Sequence, residues 1–129
     1  MNAKENIGQK PPPKKTGIKR IIAATRYSFD GLKLAAETES AFKQELLASL
    51  ILIPLAIWLG DTAIEQSLLI ASIVFIMIVE LLNTAVEAVV DRVSSDFHEL
   101  SRQAKDLGSA AVFLSISLAT LIWVLLLNN

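Results

Sequence analysis

From Ser109 to Leu127 the chain carries no charged residue, and Leu46 to Gly60 carries none either. Two long uncharged stretches in so short a chain restrict it to folds in which helices cross a bilayer, because backbone polar groups in hydrocarbon must be satisfied within the segment. A third apolar run, Ser67 to Val90, differs from these two in holding carboxylates, Glu80 and Glu87. With 53% apolar and 19% charged residues among 129, the composition agrees with a membrane protein of one domain. The sequence therefore predicts an all-α membrane protein with three transmembrane helices, spanning about 42–60, 63–91 and 108–127, within a domain of residues 38–129. The uncharged part of the first span is short for a core ~30 Å thick, so residues upstream of Leu46 must help complete it. Pro54 is expected to bend this helix, and Trp58 and Trp123 fall near span ends, where indole prefers the interface.

Ahead of the spans, Ile18, Ile21, Ile22, Phe29, Leu32 and Ala36 follow helical spacing, with Lys19, Arg20, Arg26, Asp30 and Lys33 mostly on other faces. This predicts an amphipathic helix over 18–37 lying in the membrane interface, its basic face toward anionic headgroups. Residues 1–17, rich in Pro and Lys, read as a disordered polar tail and not as a secretory signal. The twelve Lys and Arg divide as nine before Leu46 and three, Arg92, Arg102 and Lys105, in a loop over 92–107. By the positive-inside rule the N-terminus and that loop are cytoplasmic, and the C-terminus is outside. A net charge of −1 argues against nucleic acid as a partner, and the absence of cysteine removes thiolate metal sites and thiol nucleophiles.

The chemistry concentrates in the second span. Glu80, Asn83, Glu87 and Asp91 are spaced 3, 4 and 4 apart and fall on one helix face. A carboxylate as deep as Glu80 costs about 2.5 kcal/mol or more when exposed to lipid, which makes it a functional candidate, or else a buried acid that ties helices together. The stretch 91–106 adds Asp96, His98, Glu99, Lys105 and Asp106 at the same surface, and Glu39 and Glu45 stand near the start of the first span. One histidine cannot build a zinc site, whereas carboxylate oxygens suit Mg²⁺ bridged to phosphates. No glycine-rich phosphate loop and no G-x-S-x-G elbow is present, so a nucleotide would be held by Mg²⁺ and side chains such as Arg20 and Lys105.

Four segments carry a resemblance: A-x-x-Y-S-x-x-G-L at Ala24 to Leu32, E-x-A-F-K-Q-E at Glu39 to Glu45, E-L-L-N-T-A-V-E-A-V-V-D at Glu80 to Asp91, and H-E-L-S-x-x-A-K-D-x-G-S-A-A at His98 to Ala111. Over roughly residues 18–127 the chain resembles the small prokaryotic diacylglycerol kinases; the third segment is shared with the related undecaprenol kinases. Arg26, Thr38, Ser94 and the first 17 residues depart from the pattern. The resemblance implies a homotrimeric helix bundle in the bacterial inner membrane that transfers the γ-phosphate of MgATP to diacylglycerol, giving phosphatidic acid. It implies Glu80 as the catalytic base with Asn83 supporting it, and Glu39 and Glu87 as Mg²⁺ ligands. ATP contacts would come from Arg20, Tyr27, Glu39, Glu87, Asp96, Phe97, His98, Lys105 and Asp106. The lipid substrate would meet Arg20, Ala24, Ser28, Ala41, Glu45, Glu80 and Ser109. Three helices alone are expected to hide Glu80 poorly, and small residues such as Ala71, Ser72, Ala85 and Ala88 would let a trimer pack closely. An undecaprenol kinase and a non-enzymatic small membrane oligomer are the other readings of the same residues.

Overall fold

The computed structural model describes residues 13, 14, 16–93 and 95–128. The expected disordered tail lies for the most part outside the described residues. The chain divides into two compact units, residues 1–33 and 34–129. Four helices account for nearly all described residues: α1 (Gly17–Thr38), α2 (Ser40–Leu59), α3 (Ala63–Val93) and α4 (Glu99–Leu127). Among the described residues there is no strand, and α2, α3 and α4 are each long and apolar enough to cross a membrane.

In α1, Ile18, Ile21, Ile22 and Phe29 are all well exposed. The hydroxyls of Thr25 and Ser28 donate to the carbonyls of Ile21 and Ala24, at 3.0 and 2.9 Å, so these side chains satisfy themselves on their own helix. Only Glu39, with extended dihedrals (φ −98°, ψ 113°), separates α1 from α2.

In the second unit α3 is the central element, packed against both α2 and α4. Its inward line is regular. Leu69, Ile73, Glu80, Glu87 and Asp91 fall within about 40° of one another at 100° per residue, and Ser72 and Asn83 flank them. Leu69, Ser72, Ile73 and Glu80 are buried. The line is thus apolar near the start of α3 and acidic toward its end. On α2 the buried residues Phe42, Ser49 and Ala56 repeat every seven positions, one stripe facing the bundle. On α4 the covered positions Ser101, Ala104, Gly108, Val112, Ser115, Ala119, Ile122 and Leu126 step by three and four, and most are small. Small side chains let helix backbones approach closely where lipid provides no hydrophobic drive to association.

α2 is unbroken through the exposed Pro54, although proline removes one intrahelical hydrogen bond. The turn into α3 is capped reciprocally: Glu65 N donates to Thr62 Oγ1 (3.2 Å) and Asp61 N donates to Glu65 Oε2 (2.8 Å). Gln66 Nε2 donates to the carbonyls of Ile57 (3.0 Å) and Gly60 (2.9 Å), closing the exposed end of α2. A Cβ on Gly60 would stand 2.8 Å from Gln66 Cγ and 2.9 Å from its backbone N, so only glycine fits there.

The polar stretch expected as a loop over 92–107 is helical from Glu99 onward, nine residues before the expected start of the third span. The extension has local causes. His98 caps α4, its Nδ1 accepting from Leu100 N at 3.1 Å, and Arg102 bridges Glu99 and Asp106 at i−3 and i+4.

Among the described residues one side-chain bond crosses the apolar core of the bundle: Trp123 Nε1 on α4 donates to Ser72 Oγ on α3 at 3.2 Å. Side-chain bonds between membrane helices average about 0.6 kcal/mol. Ser72→Ala should therefore cost about that much in unfolding titrations in mixed micelles, with activity retained. A loss above about 2 kcal/mol would contradict this account of the bond.

Candidate functional site

The expected site residues of the second unit gather around Glu80. This acid is 8% exposed, although Leu82, Val86 and Val89 on the same helix are 63, 41 and 64% exposed. Apolar side chains outside and a carboxylate inside is the order a helix in lipid requires. The expectation that three helices hide Glu80 poorly is corrected: one chain already covers it, because α3 lies between α2 and α4 and its acidic line faces its neighbours.

Glu45 on α2, Glu39 at the start of α2, and Glu87 two turns further along the same line of α3 all lie close enough to Glu80 to interact electrostatically. Glu80 and Glu87 are about 10 Å apart along the axis by helical rise. Glu45 Oε2 and Asn83 Oδ1 are sealed from solvent without a donor among the described residues. Buried acceptors left unpaired carry a desolvation cost, so such atoms ask for a partner.

Asn83 does not turn to Glu80, as the expected role of supporting the base would require. Its Nδ2 donates to Glu87 Oε1 at 3.1 Å, the i,i+4 partner toward the end of α3. Glu87 is thereby oriented from its own helix, leaving its second oxygen for another ligand. Among the described residues no three Asp, Glu or His side chains stand close enough to form a ready metal cage. Hard cations that stay partly hydrated take one or two carboxylates and complete their shell from phosphates, and Glu39 and Glu87 each offer carboxylate oxygen of that kind.

Where α3 ends, Lys105 Nζ on α4 meets Asp91 Oδ1 at 2.7 Å, the ion pair that ties the two helices at this edge. Asp106, one position on, points instead to Arg102. Lys105 and Asp106, expected together as nucleotide contacts, thus have separate partners, and Arg102, which the sequence reading did not select, sits between Glu99 and Asp106. Asp96, Phe97 and His98 form the exposed segment joining α3 to α4, with Phe97 84% exposed. Ala41 and Ser109 are exposed.

The remaining candidates belong to the first unit. Arg20, Ala24 and Tyr27 share one face of α1 and line, with Pro13, Lys14, Thr16, Gly17 and Ala23, a concavity of about 710 Å³. Ser28 is exposed, its hydroxyl committed to the helix backbone.

A buried acid among neighbouring carboxylates marks a candidate functional site. Comparison with known proteins identifies the lineage. The profile of the prokaryotic diacylglycerol kinases matches residues 26–127. The chain is 52% identical over 112 residues to the diacylglycerol kinase of Escherichia coli strain K12, covering 87% of this chain and 92% of that one. It is 48% identical over 110 residues to the diacylglycerol kinase of Haemophilus influenzae, covering 85% and 93%. The diacylglycerol kinase of Pseudomonas aeruginosa is 47% identical over 112 residues, covering 87% and 91%. The chain belongs to the prokaryotic diacylglycerol kinase family.

Proposed function

We infer that this protein is an ATP-dependent lipid kinase that phosphorylates diacylglycerol to phosphatidic acid. The observation carrying the mechanism is the buried Glu80 with Glu39, Glu45 and Glu87 around it; the lipid is supported by relatives named diacylglycerol kinase over nearly their full length. Glu80 sits deep enough on α3 to reach an alcohol held at headgroup level. As the lipid hydroxyl oxygen bonds to the γ-phosphorus, its proton passes to a Glu80 carboxylate oxygen, and the bond from phosphorus to the bridging oxygen breaks, releasing ADP. Glu45, whose Oε2 is buried and unpaired, is assigned with Glu80 to the lipid side of the site.

Glu39 and Glu87 would hold Mg²⁺, which when bound neutralises the phosphate oxygens as charge develops on them. Glu87 is suited to this by its shallower position and by the bond from Asn83. Arg20, Tyr27, Asp96, Phe97, His98, Lys105 and Asp106 are assigned to the nucleotide, for which the chain offers no glycine loop. Arg20, Ala24, Ser28, Ala41 and Ser109 are assigned to the lipid side.

The protein acts as a homotrimer in the bacterial inner membrane. Supporting this, Ala71, Ala85 and Ala88 remain exposed on α3 in the single chain, and an apolar groove of about 240 Å³ between α3 and α4, lined by Leu68, Ala71, Phe75, Leu118 and Ile122, is open to a neighbour. α1 lies in the cytoplasmic interface with its exposed Ile18, Ile22 and Phe29 in the acyl boundary. The end of α3 carrying Asp91 faces the cytoplasm, where ATP is.

The experiment is a competition in mixed micelles: purified protein, MgATP, and equimolar diacylglycerol and undecaprenol. Phosphate should appear in phosphatidic acid in large excess. Transfer mainly to undecaprenol would reassign the substrate, and no transfer to either lipid would leave a non-enzymatic membrane oligomer as the reading.

A further inference from the structure

We propose that Gly108 is a positioning residue for phosphoryl transfer, holding the Asn83 carboxamide so that its nitrogen stays on Glu87. This rests on the reading of Asn83 and Glu87 as parts of the site. Gly108 lies in the inward stripe of α4, half-buried, where the helix begins its uncharged run. A Cβ at this position would stand 2.0 Å from Asn83 Oδ1, 3.2 Å from its Cγ and 3.9 Å from its Cβ, with nothing else nearer. The Cα–H bond that glycine has in that direction is aimed at Oδ1. A weak Cα–H···O contact is therefore what meets this otherwise unpaired buried oxygen.

The consequence follows from the planarity of the amide. Oδ1 and Nδ2 belong to one rigid group, so Oδ1 cannot retreat by the ~1 Å that a methyl needs without carrying Nδ2 away from Glu87. The Asn83 to Glu87 bond is 3.1 Å and lies near the long end of the normal range, so such a movement breaks it. Glycine is also the poorest helix former after proline, and alanine already serves at Ala104, one turn earlier in the same stripe. What distinguishes position 108 is that its three nearest opposing atoms belong to one side chain. Close packing of two helices as such would bring backbone or several side chains against the missing Cβ.

This separates positioning from packing experimentally. With alanine at position 83 nothing opposes a new methyl more closely than Cβ at 3.9 Å, an ordinary contact. The full-length protein in lipid micelles is measured as wild type, Gly108→Ala, Asn83→Ala and the double variant, recording kcat and KM for MgATP. In parallel, the ¹⁵N side-chain amide signal of Asn83 is assigned by its loss in Asn83→Ala.

Losing the support of a metal-holding side chain costs on the order of 10- to 100-fold. Gly108→Ala should lower kcat/KM by that factor, while in the Asn83→Ala background the same change should cost less than about twofold. The Asn83 amide signal should move in Gly108→Ala in the direction it moves in Glu87→Gln. Losses that multiply in the double variant, or a Gly108→Ala protein with wild-type rates and an unmoved signal, overturn the proposal while leaving the site reading intact. Wild-type rates in Asn83→Ala sink the site reading and this inference with it. If Gly108→Ala does not assemble, an assembled double variant supports the coupling, and failure of both assigns Gly108 to packing.

Discussion

Glu80→Gln should reduce kcat for diacylglycerol phosphorylation by about 10²- to 10⁴-fold, the range by which a positioned general base accelerates proton transfer. The size of the effect comes from the role and not from assembly. Glutamine keeps the volume of glutamate and can still occupy the covered site on α3, which is 8% exposed, so helix packing against α2 and α4 is preserved. It also removes a carboxylate from a cluster in which Glu39, Glu45 and Glu87 lie within electrostatic reach. Repulsion among buried acids costs stability, so the variant should be recovered from detergent at least as well folded as wild type. The checking measurement is kcat at saturating MgATP and diacylglycerol, beside the oligomer profile on a sizing column. An active, assembled Glu80→Gln protein removes the base from Glu80.

The second large effect is expected at Glu87. Glu87→Gln should raise the MgATP concentration needed for half-maximal rate by at least about 10-fold and shift the Mg²⁺ dependence to higher concentration. Disturbing groups that merely orient metal ligands already costs ~10- to 100-fold. The neutral amide also has one poor oxygen ligand in place of a charged carboxylate. Glu80→Gln should leave the Mg²⁺ requirement near its wild-type value, because its loss falls on proton transfer. Opposite signatures from two acids about 10 Å apart along one helix would separate base from metal holder; equal Mg²⁺ profiles for both variants would contradict the division.

A smaller effect follows from the ion pair between Lys105 and Asp91. The lysine is about half exposed and the aspartate more so, and solvent-exposed pairs contribute little, so Asp91→Asn should leave stability nearly unchanged in an unfolding titration. If Lys105 also meets the nucleotide, Lys105→Met should raise KM for MgATP more than Asp91→Asn does. Steady-state kinetics of the two variants make that comparison.

Several features are fixed by local chemistry and were legible without coordinates. Uncharged stretches at 46–60 and 109–127 impose helices because hydrocarbon offers the backbone no other partner. The 3, 4, 4 spacing of Glu80, Asn83, Glu87 and Asp91 puts them on one face because the helical repeat is 3.6 residues. Family membership was legible from the segments at 24–32, 39–45, 80–91 and 98–111, and the relatives covering 87% of the chain agree with it.

What the acidic face meets depends on which helix lies opposite, and spacing on one helix contains no information about another. Only the tertiary structure brings α2 and α4 to either side of α3, so that a single chain covers Glu80. It turns Asn83 toward Glu87 and not Glu80, assigns Lys105 to Asp91 and Asp106 to Arg102, and sets Gly108 against Asn83. The sequence by itself determined three apolar helices and a polar line on the second, because both follow from periodicity and solvation. The partner of each polar atom was decided by packing, because hydrogen bonds and close contacts are set by distances of a few ångströms between elements that lie far apart along the chain.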